Sequence, residues 1–276
     1  MSNALGTWVD GVEGNAVPAD DRGLQYGDGV FETILVRHGV PRFLALHRER
    51  MRRGLTQLGI QFLAANELEA EIARVTAQAP PLAILKIIVT RGTARRGYAP
   101  QAQAVARRIV SLWPTTPPPA DVIANGAVLN IARLRLPQPS PFAGLKHLNR
   151  LESVMAAADA PVGAGFEALM LDTSERLVSV TAGNVFLVKD GALLTPRVDR
   201  VGVNGIMRQV VLREAASLGI PAREQDLAMD DVASADAMFI TNARIGVVPV
   251  QRVREHVIGM SEIAQRLRES IEALDA

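Results

Sequence analysis

Pro114-Thr115-Thr116-Pro117-Pro118-Pro119 decides how this chain is read, because four prolines in six residues can neither extend a strand ladder nor fill a helix interior. The run predicts a small N-terminal α/β domain over residues 1–115, a linker and entry segment over 116–144, and a larger C-terminal domain over 145–276. At 276 residues and 48% apolar, the chain has material for two cores. Upstream of the prolines, Thr7 to Val12 and Phe31 to Arg37 read as a strand pair, with Asp10-Gly11 and His38-Gly39 as turn dipeptides. Leu44, Met51, Leu55 and Leu58 share one face of a helix over 44–58. Asn66 with Glu69 makes a capping-box pattern ahead of Leu68, Ile72 and Val75. Strands over 82–90 and 105–113 complete this half.

Downstream, the pattern predicts a strand over 122–131, a proline-rich flexible stretch from Leu136 to Gly144, and a helix over 147–158. Strands follow at 166–171, 177–180 and 184–188, the last ending in a Lys189-Asp190-Gly191 turn. Ile206, Val210 and Leu218 mark a helix, strands over 237–241 and 247–250 come next, and a final helix starts near Ser261. Strands outnumber helices and mostly join by hairpins. The expected class is therefore mixed α/β with antiparallel sheet, not a doubly wound parallel fold.

Composition narrows the function. The 30 basic and 29 acidic residues are interspersed, so no broad field favours nucleic acid or a membrane surface, and a small-molecule partner is expected. The absence of cysteine removes disulfides, thiolate zinc sites and cysteine nucleophiles, and suits a reducing compartment. His38, His47, His147 and His256 are too scattered to suggest a metal site. Residues 1–14 carry no basic-then-apolar pattern, and no apolar run approaches the roughly 18 residues of a membrane span, so a cytoplasmic location is expected.

Only three residues are lysine: Lys86, Lys146 and Lys189. A lysine that attaches to a carbonyl must lose its proton readily, which requires a partly desolvated, electropositive position. Lys189 lies in a turn, and Lys86 interrupts an apolar strand and reads as a side chain reaching past a sheet edge. Lys146 follows the loop Pro139-Ser140-Pro141-Phe142-Ala143-Gly144 just before a helix, where a residue can face a cleft. On spacing alone, a lone lysine is more often a solvated surface residue.

The block Gly144-Leu145-Lys146-His147-Leu148-Asn149-Arg150-Leu151-Glu152 closely resembles the fold type IV pyridoxal-phosphate enzymes, and among them the aminodeoxychorismate lyases. The resemblance continues through Asp21-Arg22-Gly23-Leu24-Gln25-Tyr26-Gly27-Asp28-Gly29-Val30-Phe31-Glu32-Thr33, then Arg91-Gly92-Thr93 with Arg96-Gly97-Tyr98, and Thr195-Pro196-Arg197 into Gly202-Val203-Asn204-Gly205-Ile206-Met207-Arg208-Gln209. It implies a two-domain α/β subunit, a homodimer, and pyridoxal 5'-phosphate held in a cleft between domains on Lys146. The implied reaction converts 4-amino-4-deoxychorismate to 4-aminobenzoate and pyruvate in folate biosynthesis.

By the same resemblance Arg50 is the phosphate arginine, the backbone amides of Ile206 and Met207 cup the phosphate, and Asn242 with Ala243 adds a second contact. Where the family has a glutamate facing the pyridinium nitrogen this chain has Ser179, with Glu167 or Glu175 as possible substitutes. Two substrate carboxylates call for cations, and Arg91 and Arg96 with Tyr26 and Tyr98 are the expected substrate contacts. Thr33 and the Lys-His-Leu-Asn-Arg block favour the lyase over the D-amino acid or branched-chain aminotransferases of the same fold. Thr33 would be a catalytic hydroxyl beside Lys146, although a threonine there is ordinarily a plain β-branched strand residue. Ser179 also leaves open a catalytically retired homologue.

Overall fold

The structure, a computed structural model, describes residues 4–101, 104–159 and 166–274. They form two compact units. The first runs to Thr116 and includes Leu145–Asn149; the second comprises Pro117–Gly144 and the chain from Arg150 onward. The boundary falls inside the proline run. Two expectations are corrected. The entry segment 116–144 belongs to the second unit as a helix and a strand, and the start of the 145–276 segment, lysine included, packs with the first unit. The reason is backbone pairing: the Phe31 N–H donates to the Lys146 carbonyl at 3.0 Å and the Leu148 N–H to Gly29 at 3.0 Å, closing an antiparallel bridge between Val30 and His147.

The first unit contains β1 (Gly6–Val9), β2 (Val12–Glu13), α1 (Arg22–Tyr26), β3 (Gly29–Arg37), β4 (Val40–Pro41), α2 (Leu44–Gln57), α3 (Ala65–Thr76), β5 (Leu82–Thr90) and β6 (Arg107–Pro114). Its sheet runs β2-β1-β6-β5-β3-β4 and is antiparallel throughout. The turn dipeptides act as expected: Asp10-Gly11 (φ 51 and 88) and His38-Gly39 (φ 47 and 83) close tight hairpins whose left-handed backbone matches strand twist. The strands they serve are β1 with β2 and β3 with β4. β1 and β3 do not pair with each other, because β6 and β5 lie between them. α3 starts at Ala65 behind an Ala64 cap with no side-chain bond, so the Asn66–Glu69 capping box does not form. Leu68, Ile72 and Val75 do enter the core, with Met51 and Leu55 of α2 and the inward residues of β3 and β5.

The second unit contains α4 (Ala120–Asn125), β7 (Ala127–Leu136), α5 (Leu151–Ala158), β8 (Glu167–Asp172), β9 (Leu177–Val180), β10 (Asn184–Lys189), β11 (Ala192–Pro196), α6 (Ile206–Ser217), β12 (Ala222–Gln225), α7 (Met229–Ala233), β13 (Ala237–Asn242), β14 (Gly246–Val253), β15 (His256–Val257) and α8 (Glu262–Ala273). The sheet runs β12-β11-β10-β13-β14-β7-β8-β9 with β15 on β14, and it mixes hairpins with parallel pairs at β11–β12, β14–β7 and β7–β8. The strand expected over 122–131 is half helix. Val122 to Asn125 wind into α4, and Gly126, at φ 91 and pressed against the Gln251 backbone, turns the chain into β7. The helix expected over 147–158 starts at Leu151, since the preceding residues serve the bridge to β3. Apolar residues of β7 through β14 form the core of this unit, and Phe186 stacks on Phe239 at 4.9 Å.

Candidate active site

Strand alternation distributes the chemistry of the first unit. Along β3, Glu32 and Ile34 point inward and are buried, while Phe31 and Thr33 share the other, half-buried face. The bridge to Gly29–Phe31 brings Lys146 to that face, with its Nζ 4.1 Å from the Phe31 ring centroid. The contact holds the amine on this half-buried face, where part of its water is replaced by the ring.

On the inward face, α2 presents His47 and Arg50, one helical turn apart, to Glu32. Arg50 Nε donates to Glu32 Oε1 at 2.8 Å, a second guanidinium nitrogen binds Oε2, and His47 Nδ1 lies 2.6 Å from Oε2. All three are more than 90% buried. Burial pushes the Glu32 carboxyl up, but Arg50 and then His47 outweigh it and hold Glu32 below the ordinary carboxylate value. For His47, burial dominates and lowers the pKa against the pull of Glu32. The result is a neutral imidazole and a carboxylate that aim Arg50.

Asp28 organises a second cluster. Arg22 Nε and Arg91 Nε each reach Asp28 Oδ2 at 2.8 Å, and together they hold the carboxyl below its usual value despite partial burial. Arg91 also donates to Asp28 Oδ1 at 3.1 Å and to the Gly59 and Leu58 carbonyls at 2.8 and 2.7 Å. Buried and bound at all three nitrogens, Arg91 is a structural clamp, which corrects its expected role as a substrate contact. Arg22 donates to the carbonyls of Gly97 and Tyr98 at 2.9 and 2.8 Å and lies over the Tyr26 ring. Tyr26 and Tyr98 are 5.4 Å apart, Tyr98 is 85% exposed and Arg96 is exposed, so these three remain accessible.

In the second unit α6 starts without a side-chain cap. Its N-cap is Gly205, which supplies no side-chain cap; a Cβ there would lie 2.0 Å from Asn184 Oδ1. Asn184 Nδ2 fixes the approach by donating to the Val203 carbonyl at 2.9 Å. Thr241 is the cross-strand partner of Asn184, so both side chains share one face; the Thr241 hydroxyl is fully buried and finds no partner among the described residues. The Asn242 side chain is occupied with its own turn, accepting from Arg244 and Ile245 N–H at 2.9 Å and donating to Ala182 at 2.9 Å. These bonds use its Oδ1 and one Nδ2 hydrogen and shape the backbone at Ala243. Taken by itself, an uncapped helix start leaves its first amides available to an anion such as a phosphate, and in the first unit an amine over a ring suits a carbonyl.

Ser179 is half-buried on β9 opposite Met170. Neither carboxylate considered as its substitute lies at that register. Glu175 is exposed at the hairpin tip and forks onto Arg135. Glu167 meets the Ala182 N–H at 3.2 Å, and burial raises its pKa against the hydrogen bonds of Thr181 and Ala182. Sequence reading missed Glu32, His47 and Thr241. A carboxylate at an inward strand position, and His47 and Arg50 at one-turn spacing, were the available signals. Among the described residues, no cluster could hold a metal ion and no helix is long and apolar enough to cross a membrane.

Residues 29–253 match the amino-transferase class IV family model. The chain is 33% identical to an aminodeoxychorismate lyase of Vibrio harveyi over 89% of its own length and 90% of that protein. It is 32% identical to a putative branched-chain-amino-acid aminotransferase of Methanocaldococcus jannaschii over 90% of its length and 88% of that protein. The crystal structure of 4-amino-4-deoxychorismate lyase from Pseudomonas aeruginosa superposes with a TM-score of 0.92 at 40% identity, covering 98% of this chain and 100% of the other. With its lysine, its buried arginine and its bare helix start all inside the matched span, the chain belongs to the class IV aminotransferase family.

Proposed function

We propose that this protein is an aminodeoxychorismate lyase, using pyridoxal 5'-phosphate on Lys146 to convert 4-amino-4-deoxychorismate to 4-aminobenzoate and pyruvate. The observation that carries the reading is Lys146 Nζ over Phe31, on the strand face that also presents Thr33. Similarity to two lyases, over 89% and 98% of the chain, supports it. When bound, the cofactor supplies an electron sink for the carbon that carries the substrate nitrogen.

The residues of the chain do the rest. Ile206 and Met207 offer the first amides of α6 to the phosphate, Ala243 adds its backbone, and the Glu32–His47 pair holds Arg50 in one orientation for the same charge. Lys146 Nζ would take the proton from the carbon that bears the substrate nitrogen. The enolpyruvyl C–O bond then breaks, and Lys146, or the Thr33 hydroxyl as a relay, delivers a proton to the departing methylene to give pyruvate. Aromatisation of the ring drives this step, so a hydroxyl at Ser179 suffices where transamination would need a stronger sink. Tyr26, Arg96 and Tyr98 stay assigned to substrate, and the active form is a homodimer in the cytoplasm.

Incubating the purified protein with 4-amino-4-deoxychorismate should release 4-aminobenzoate and pyruvate in equal amounts. Amino-group transfer from D-alanine or a branched-chain amino acid, with no 4-aminobenzoate, would replace this reading with an aminotransferase.

A further inference from the structure

Residues 93–98 carry Arg96 and Tyr98 on a loop between β5 and β6 that belongs to no strand or helix. What fixes this loop comes from α1 and the residue before it. Asp21 makes an isolated antiparallel bridge with Thr93, and the Arg22 N–H donates to the Gly92 carbonyl at 2.9 Å. The Asp21 carboxylate also accepts from the Thr90 hydroxyl at 3.0 Å and from the Gly23 N–H at 2.8 Å, so α1 is seated on the end of β5. Gly23 permits that seat, since a Cβ there would lie 2.2 Å from the Thr90 methyl.

Beyond Thr93 the loop hangs on one side chain. Arg22 is 5% exposed, and its guanidinium forks onto two successive carbonyls, Gly97 at 2.9 Å and Tyr98 at 2.8 Å, while Asp28 holds its Nε at 2.8 Å. Among the described residues, these two are the hydrogen bonds that hold residues 94–98. The same guanidinium lies 4.9 Å from the Tyr26 ring centroid, and the Tyr26 ring meets that of Tyr98 at 5.4 Å. A buried guanidinium is costly unless its donors are used, and only a planar fork matches this set of acceptors. Without it the loop would sample many arrangements, and substrate would bind only the fraction that presents Arg96 and Tyr98 together.

We propose that Arg22 is a positioning residue for substrate: its fork sets the 93–98 loop in the arrangement that presents Arg96 and Tyr98, without touching the reacting atoms itself. This rests on the assignment of Arg96 and Tyr98 to substrate in the lyase reading. The device is local. Asp28 keeps two bonds to Arg91 when Arg22 is replaced, so β3 and the Lys146 segment paired with it stay in place.

The test compares wild type, Arg22→Met and Arg22→Lys, each loaded with pyridoxal phosphate, by steady-state kinetics and by brief trypsin digestion. Mass spectrometry follows cleavage after Arg95 and Arg96, both exposed on the loop. Arg22→Met should raise KM for 4-amino-4-deoxychorismate about tenfold with kcat and visible cofactor absorbance unchanged, as when the competent fraction falls to about a tenth. Cleavage at the two arginines should quicken by a similar factor, because proteolysis follows the open population. Arg22→Lys should behave like Arg22→Met, since an ammonium keeps the charge beside Asp28 but cannot span two carbonyls. Full recovery in Arg22→Lys, or faster cleavage at unchanged KM, overturns the proposal. So does a fall in kcat and cofactor absorbance at constant KM, which would place the effect at Lys146. If wild type makes no 4-aminobenzoate, the lyase reading fails and cleavage decides alone: quicker cleavage in Arg22→Met keeps Arg22 as the anchor of the loop, and equal rates overturn it.

Discussion

Around β3 the first unit buries Asp21, Arg22, Glu32, His47, Arg50 and Arg91 as interlocked charges, whereas the start of α6 in the second unit offers backbone amides, a bare glycine and the Thr241 hydroxyl, and the buried charge of that helix is Arg208, bound to Glu224 and the Pro196 carbonyl. Both arrangements suit an anionic cofactor, but their physics differs. Paired charges in a dry interior depend on each other, and losing one strands the next. Amides at a helix start belong to the fold itself and depend little on which side chains surround them. The first unit should therefore be brittle toward single polar substitutions and the second tolerant.

The largest expected effect breaks that comparison at its strongest point. Glu32→Gln removes the carboxylate that binds Arg50 and His47 in a dry interior and should cost about 3–5 kcal/mol in urea unfolding. Thr195→Val, which removes a buried hydroxyl bond of 2.8 Å to the Val185 carbonyl in the second unit, should cost about 1 kcal/mol. Equal costs would remove the distinction. Acid sharpens it. Glu32 and His47 both hold protons less readily folded than unfolded, so their contribution is complete above the ordinary histidine value of 6.5 and is lost as pH falls, first below 6.5 and then below the ordinary glutamate value of 4.5. In Glu32→Gln the decline below 4.5 should be shallower than in wild type; an unchanged slope would mean Glu32 is not held ionised by its partners.

Thr33→Val tests the accessible face of the same strand. It preserves shape and removes the hydroxyl, so turnover should fall about a hundredfold with KM little changed if that hydroxyl relays a proton. A near-normal rate leaves all proton transfer to Lys146. The smallest effect is expected in the second unit. Ser179→Glu should raise side transamination of amino acids more than 4-aminobenzoate formation, and parallel changes would mean Ser179 does not face the ring nitrogen.

The same contrast explains what could be read from sequence. Hairpin dipeptides and the proline run are local signals, and Asp10-Gly11, His38-Gly39 and the boundary after Thr116 emerged from them directly. Strand partners are not local: β1 and β3 each carry the right pattern but are separated by strands that come later in the chain. Arg91 shows the same limit at the level of one side chain, since a guanidinium bound to Asp28 and one free for substrate have identical sequence signatures. Lys86 reads as an edge residue until β6 is known to cover β5. Lys146 stands out through its surrounding block, yet the unit it packs with depends on a bridge to Gly29–Phe31 that no local pattern encodes.

The account rests on Lys146 carrying the cofactor, and the chain's scarcity of lysine makes that directly measurable. Borohydride reduction of the pyridoxal-phosphate-loaded protein, followed by proteolysis and peptide mapping, should place the pyridoxyl group on the peptide containing Lys146. Its recovery on Lys86 or Lys189 instead would contradict the account.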